Sequence, residues 1–315
     1  MPRDALVYSS AVDPAGPWVA ALQAELPDLD IRVAAPDGTV AGDPAEVRYV
    51  LGWSPPAGFF ARFPNLALVI NLGAGVDALV ARRDLPAVPV TRLSDPQMAR
   101  MMAAYVLFAV LRHARDIPQF EIAQRARRWA HVHPRQPEEI RVAILGLGEL
   151  GGCAAGELVR QGFDVRGWSR TPRSLPGVAC AHGLDTLDGV LAEADILVAM
   201  LPLTAETRGL LDAARLARLP RGAAFINVAR GAVVDEPALV AALRSGQIGA
   251  ATLDVVAQEP LPQDSPLWDM PGVLITPHLA SMAIPRSAAA QIAENIRRIR
   301  AGAAVLNAVN LARGY

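Results

Sequence analysis

Three residues of this chain are of the types that together could carry one reaction. Arg230 follows the run "FINVA", Glu259 follows "LDVVAQ" and His278 follows "VLITP". A guanidinium, a carboxylate and an imidazole can reduce the keto group of a 2-oxo acid against a hydride donor. Arg230 would hold the substrate carboxylate and polarise the adjoining carbonyl, while His278 would give the proton as the hydride arrives. Glu259 would orient the imidazole and favour its charged form. Each also has a structural explanation. A strand-end histidine can simply pack or cap, Arg230 in "ARGAVVDE" can pair with Asp235 or Glu236, and Glu259 before Pro260 can shape a turn. The reactive alternative is favoured by placement, because open α/β sheets bind ligands just past their strand ends.

The elements that would position them recur along the chain. Apolar β-type runs occur at "ALVYSS", "IRVAA", "VRYVLGW", "LALVINL" and "VPVTRL", then from residue 140 at "IRVAILG", "FDVRGWS", "DILVAML", "AAFINV", "ATLDVV" and "VLITPH". Helical stretches lie between them, the pattern of parallel sheets buried on both faces. The expected class is α/β, with two doubly wound domains and a cleft between them. Met98 to Arg128 reads as one long connecting helix, and "SAAAQIAENIRRIRAGAAV" as an amphipathic helix with Ile292, Ile296 and Ile299 on one side. If that last helix returns to the first half, the expected domains are 1–97 with 286–315 for substrate and 98–285 for cofactor.

Within "RVAILGLGELGG" a strand runs into G-x-G-x-x-G at Gly146, Gly148 and Gly151. Such a turn admits a tight bend, a pyrophosphate at the helix N-terminus and close helix–strand packing. A structural glycine turn and a methyltransferase-type site are the competing readings. About twenty residues on, where NAD-binding chains often place an acid on the ribose, "WSRTPRS" has Ser169 and Arg170, with Arg173 close behind. An acid there would repel a 2′-phosphate. Ser169 can donate a hydrogen bond to one, Arg170 can supply charge and a planar fork, and Arg173 can close the clamp. These residues favour NADPH, with NADH as the alternative cofactor, against a reading of solvated surface arginines.

That last reading has weight because all 30 basic residues are arginine and none is lysine. Net charge is −1 and 52% of residues are hydrophobic, so neither nucleic acid nor an anionic membrane surface is an expected partner. The longest strongly apolar run, Met101 to Leu111, is far short of the roughly twenty residues that cross a bilayer. The opening "MPRDALVYSS" lacks signal-peptide design, and the expected location is the cytoplasm. Cys153 and Cys180 have neither a metal spacing nor a disulfide pattern, and no metal is expected.

The stretches "NLGAGVD", "GLGELG", "LPLTAETRGL", "INVARGAVVDEPALVAAL", "LDVVAQEPLP" and "SPLWDMPGVLITPHLAS" resemble the motifs of the D-isomer-specific 2-hydroxyacid dehydrogenase family. "WSRTPRSLPGV", "LGWSPP" and the terminal "ARGY" resemble its glyoxylate/hydroxypyruvate reductase A group, which favours NADPH. The resemblance covers nearly the whole chain. It implies a Rossmann NAD(P)-binding domain and a flavodoxin-like substrate domain, with Arg230, Glu259 and His278 as the family's catalytic trio. It further implies backbone N–H groups near Gly73, Ala74 and Gly75 for the substrate carboxylate, and Asp254 on the nicotinamide carboxamide. Leu201 and Pro202 would pass the adenosine side, Val228 and Ala229 would line the nicotinamide pocket, and Leu150 belongs to the glycine turn. Similar enzymes are homodimers joined through the cofactor domain.

Two positions depart from the family pattern. Ala104 stands where a Glu is usual, which bears on hinge or dimer contacts, and Glu149 puts an acid beside the expected pyrophosphate. Trp53 is either a cleft wall that limits substrates to the size of glyoxylate or hydroxypyruvate, or a core residue; the resemblance favours the wall. The expected activity is reduction of such small 2-oxo acids to D-2-hydroxy acids. The alternatives are a broader dehydrogenase for larger 2-oxo acids and a non-catalytic NAD(P)H-sensing protein, which would tolerate loss of the trio.

Overall fold

The β-type runs become parallel strands joined by helices, the connection that parallel pairing requires. The computed structural model describes residues 4–314; Tyr315 of the terminal "ARGY" lies outside them. The chain forms two units, one holding the residues up to Met98 with those from Met282 on, the other Ala99–Ser281.

The first unit contains β1 (Ala5–Ser10), α1 (Ala15–Glu25), β2 (Asp30–Val33), β3 (Val47–Trp53), β4 (Leu68–Asn71), α2 (Asp77–Val80) and β5 (Val90–Thr91). Its sheet has the order β2-β1-β3-β4-β5 with every pair parallel, the flavodoxin-like arrangement. The chain leaves this unit within α3 (Pro96–Ala114).

The second unit continues with α4 (Ile117–Arg125), β6 (Arg141–Leu145), α5 (Glu149–Arg160), β7 (Asp164–Ser169), β8 (Val178–His182), α6 (Leu184–Ala192) and β9 (Ile196–Ala199). It ends with α7 (Ala213–Leu216), β10 (Ala223–Asn227), α8 (Glu236–Ser245), β11 (Ile248–Leu253) and β12 (Val273–Ile275). The sheet order is β12-β11-β10-β9-β6-β7-β8, all parallel, which is the Rossmann order with one further strand. Val142, Ile144, Val198 and Ile226 on one face and Leu145, Leu197 and Phe225 on the other are buried, so both faces are covered. After β12 the chain returns to the first unit with α9 (Pro285–Arg300), which lies against α1 and buries Ile292 and Ile296.

Two sequence expectations need correction. The cofactor sheet has a seventh strand, β8, whose residues "VACAH" are small and only partly buried at the sheet edge. Nothing in that composition has the β-branched run that marks a buried strand. The long helix expected from Met98 to Arg128 is instead broken at Asp116, which has φ +55 and is followed by Pro118. Proline two residues on cannot donate to the preceding turn, so α4 starts afresh there.

α3 packs Met102, Val106 and Val110 into the core and carries His113, whose ring nitrogen meets Thr252 Oγ1 at 2.9 Å. Burial, with the nearby Arg112 charge, pushes this imidazole down to about 3. The unfolded chain takes up this proton near 6.5 and the folded chain does not, so stability falls as pH drops from there towards 3. His113→Asn should remove on the order of 2–3 kcal/mol of the acid sensitivity between pH 7 and pH 4. Urea midpoints at the two pH values measure it; an undiminished acid shift in the variant would count against this role.

Among the described residues no helix is long and apolar enough to cross a membrane, and no cluster of three or more metal-ligating side chains occurs.

Candidate active site

β6 and β9 are neighbours whose connections leave in opposite directions, so their C-terminal ends form the switch point of the cofactor sheet. The glycine turn sits there. Gly146 has φ +108, and a Cβ on it would lie 2.6 Å from Met200 O beyond β9. A Cβ on Gly151 would lie 1.8 Å from Gly146 O, so helix α5 closes on the strand only because position 151 is bare. Gly148, by contrast, is exposed with no neighbour within 4 Å of its would-be Cβ. The turn thus offers an open helix N-terminus on the side where a pyrophosphate would approach.

A pocket of about 520 Å³ adjoins it, lined by Gly148, Glu149, Gly152, Arg173 and Ser174. Glu149 is exposed in the first turn of α5, where the helix dipole favours an acid, and Leu150 is half-buried. Ser174 was not singled out from sequence, although its hydroxyl belongs to the same loop as Arg173. Arg170 is exposed and pairs with Glu206 at 3.0 Å. Ser169 is buried and its hydroxyl donates to Thr171 O at 2.8 Å, so its proton already serves the turn. Leu201 is a core side chain, Pro202 beside it is exposed, and Val228 and Ala229 are buried after β10.

The parallel strands β10, β11 and β12 are adjacent, so Arg230, Glu259 and His278 follow their ends on one edge of the sheet. His278 Nδ1 lies 2.7 Å from Glu259 Oε2, with the two side chains 33% and 37% exposed. Glu259 Oε1 accepts from Val256 N at 3.2 Å. Burial alone would raise the Glu259 carboxyl, but the His278 hydrogen bond and charge, the Val256 amide and the Arg230 charge outweigh it and hold it below its ordinary value. A carboxylate on Nδ1 fixes the ring's orientation and leaves Nε2 for the substrate. Arg230 Nη1 donates to Ala229 O at 2.8 Å, while Asn227 Nδ2 donates to Arg230 O at 3.2 Å.

Asp254, buried after β11, binds the histidine loop. Its Oδ1 accepts from Thr276 Oγ1 at 2.6 Å and Leu279 N at 2.9 Å, and its Oδ2 accepts from Ala280 N at 2.9 Å. The carboxylate expected on a carboxamide therefore also organises residues 276–280, a task that sequence reasoning missed.

In the first unit, Trp53 ends β3 half-buried and lines a small pocket of about 90 Å³ with Asn71, Gly75 and Arg82. Its ring lies against Gly73, where a Cβ would meet it at 2.9 Å. Buried Asn71 donates through Nδ2 to Gly73 O and Gly75 O, both at 3.0 Å. That side chain, also missed from sequence, turns the loop's carbonyls inward. Ala74 and Gly75, both half-buried, have no backbone N–H acceptor among the described residues.

The family model for the D-isomer specific 2-hydroxyacid dehydrogenase NAD binding domain matches residues 107–280, more than half of the chain. A glyoxylate/hydroxypyruvate reductase A from Serratia proteamaculans is 40% identical over 95% of this chain and 96% of its own length. A D-isomer specific 2-hydroxyacid dehydrogenase from Xanthobacter autotrophicus, crystallised with NADPH and MES, is 69% identical with TM-score 0.96, covering 99% of this chain and 100% of that one. An NADPH-dependent glyoxylate/hydroxypyruvate reductase from Sinorhizobium meliloti, crystallised with NADP and sulfate, is 33% identical with TM-score 0.93 over the same shares. Its fold, its glycine turn and these matches together show that the chain belongs to the D-isomer specific 2-hydroxyacid dehydrogenase family.

Proposed function

We propose that this protein is an NADPH-preferring reductase of small 2-oxo acids, glyoxylate and hydroxypyruvate in particular, yielding D-2-hydroxy acids. The observation that carries the reading is the Glu259–His278 pair at 2.7 Å on the sheet edge that also presents Arg230. The names of the relatives support the substrate class, and the complexes with NADPH and NADP support the cofactor.

The residues present fit the nucleotide. The turn from Gly146 to Gly151 and the α5 N-terminus would hold its pyrophosphate, and Arg170, Arg173 and Ser174 its 2′-phosphate. Ser169 shapes the turn beneath them. Arg170 is paired with Glu206, but an exposed ion pair is worth about 0–1 kcal/mol, so exchange for a phosphate costs little. Bound there, NADPH would supply the hydride that reduction of the carbonyl requires. Arg230 holds the substrate carboxylate and polarises the carbonyl. His278 passes a proton from Nε2 to the carbonyl oxygen, giving the hydroxy acid and a neutral imidazole that regains its proton from water. Glu259 stabilises the imidazolium beforehand through Nδ1. Trp53 is assigned as the wall that limits substrate size.

We also propose a homodimer formed through the cofactor domain, on exposed apolar side chains that include Phe108, Ile122 and Trp129. A cytoplasmic location accords with two unpaired cysteines.

Steady-state kcat/KM with NADPH and NADH across glyoxylate, hydroxypyruvate and phenylpyruvate tests the reading. NADPH should be favoured by about tenfold or more, and Arg170→Ala should lower that ratio about tenfold, the size of one lost charge-assisted contact. Equal use of both cofactors, or an unchanged ratio in Arg170→Ala, would contradict the clamp. Phenylpyruvate as the best substrate would contradict the size limit and support the broader dehydrogenase.

A further inference from the structure

We infer that Thr276 and Tyr105 are positioning residues that hold His278 in place through Asp254. The inference rests on the reading of His278 as the proton donor. His278 has φ +54, a left-handed conformation that is unfavourable for a non-glycine residue. Such a conformation persists where its surroundings over-determine it.

Asp254 supplies that constraint. Its backbone oxygen accepts from His278 N at 2.8 Å, and its carboxylate accepts from the amides of Leu279 and Ala280. One buried residue thus fixes three successive amides around the strained position. The carboxylate is in turn held by Thr276 Oγ1 at 2.6 Å, and Thr276 Oγ1 lies 2.5 Å from the Tyr105 hydroxyl on α3. The direction of this chain follows from chemistry. A carboxylate oxygen that receives an amide can only accept, so the Thr276 proton goes to Asp254 and the threonine oxygen accepts from Tyr105. Burial raises the Tyr105 phenol, so it keeps the proton that this order requires. Neither Thr276 nor Tyr105 is fully buried, and neither belongs to the described core as a buried member. Their polar tips serve the loop.

The experiment pairs turnover with a readout that needs no turnover. kcat and KM are measured with NADPH and glyoxylate, and amide hydrogen exchange is followed at residues 278–280 in cofactor-free protein. Thr276→Val keeps the shape and deletes the hydroxyl. A displacement of about 1 Å at a reacting group can cost 10²-fold, so kcat should fall about 10- to 100-fold with KM within about threefold. Exchange at Leu279 and Ala280 should rise while the rest of the unit is unchanged. Thr276→Ser should restore both, and Tyr105→Phe should move both in the same direction by less. An unchanged kcat in Thr276→Val overturns the inference. So does a fall without faster exchange at 278–280, a rise spread over the whole unit, or failure of Thr276→Ser to rescue. If the unaltered protein reduces no 2-oxo acid, the functional reading fails, and the exchange data alone then decide whether the chain holds the loop.

Discussion

Replacing His278 with asparagine should lower kcat about a thousandfold, the range of a lost general acid, while the NADPH dissociation constant stays within about threefold. Asparagine is the informative replacement because position 278 has φ +54, and asparagine tolerates the left-handed region better than alanine. The backbone bonds to Asp254 therefore survive and only the proton donor is lost. The companion result concerns pH. The Glu259 carboxyl is held low by its partners against the effect of burial, so it remains an anion in mild acid. A depressed carboxyl contributes stability that is present above its unfolded value and lost as pH falls through the folded one. The pair thus remains intact on the acid side, and a reduction that depends on a general acid should slow as pH rises. Glu259→Gln removes the negative partner on Nδ1 and should itself lower kcat. A rate flat into strong alkali, with the chemical step limiting, would rule His278 out as the acid.

Gly231→Ala should also be strongly damaging, through packing and not chemistry. A Cβ at position 231 would lie 2.0 Å from Val256 C and O and 2.4 Å from Ala257 N. These are backbone atoms and cannot rotate away. Arg230 O, one residue earlier, is already held by Asn227 and by Val233 N. Relief must therefore separate the loop carrying Arg230 from the loop carrying Glu259. Overpacking of this kind costs about 1–3 kcal/mol or more, and the misplacement should reduce kcat/KM by about 10²-fold. Gly189→Ala is the matched control. It lies within α6 with nothing inside 4 Å of the added atom, and should stabilise the helix by about 0.5–1 kcal/mol. Thermal unfolding and kcat/KM of both variants decide the point; a Gly231→Ala protein indistinguishable from the control would refute the contact.

The parts that were legible in the sequence share a physical cause. Central strands of a parallel sheet are buried on both faces, so they stand out as apolar runs, and the residue just past each run is a candidate ligand group. That is why the placement of Arg230, Glu259 and His278 past three strand ends was readable. The glycine turn was readable because steric exclusion leaves no other residue at Gly146 and Gly151. β8 was not, since an edge strand of small residues lacks the apolar pattern. The break at Asp116 was masked by helical periodicity on both sides of it. Thr276 meets Tyr105 across 171 residues, and the need for Gly231 depends on a backbone segment 25 positions later. Contacts of that kind exist only after folding. Ser169 shows the limit from the other side: its type suits a phosphate, but its hydroxyl is engaged by its own turn.

The central claim, hydride reduction of a small 2-oxo acid to a D-2-hydroxy acid, is tested most directly by the product. Purified protein is incubated with hydroxypyruvate and a limiting amount of NADPH, and the glycerate formed is resolved into its enantiomers. The expected result is one D-glycerate per NADPH oxidised, with neither detectable in His278→Asn over the same interval. Tight binding of NADPH without its oxidation by hydroxypyruvate or glyoxylate would contradict the enzyme and leave a nucleotide-sensing protein, and L-glycerate would contradict the assigned stereochemistry.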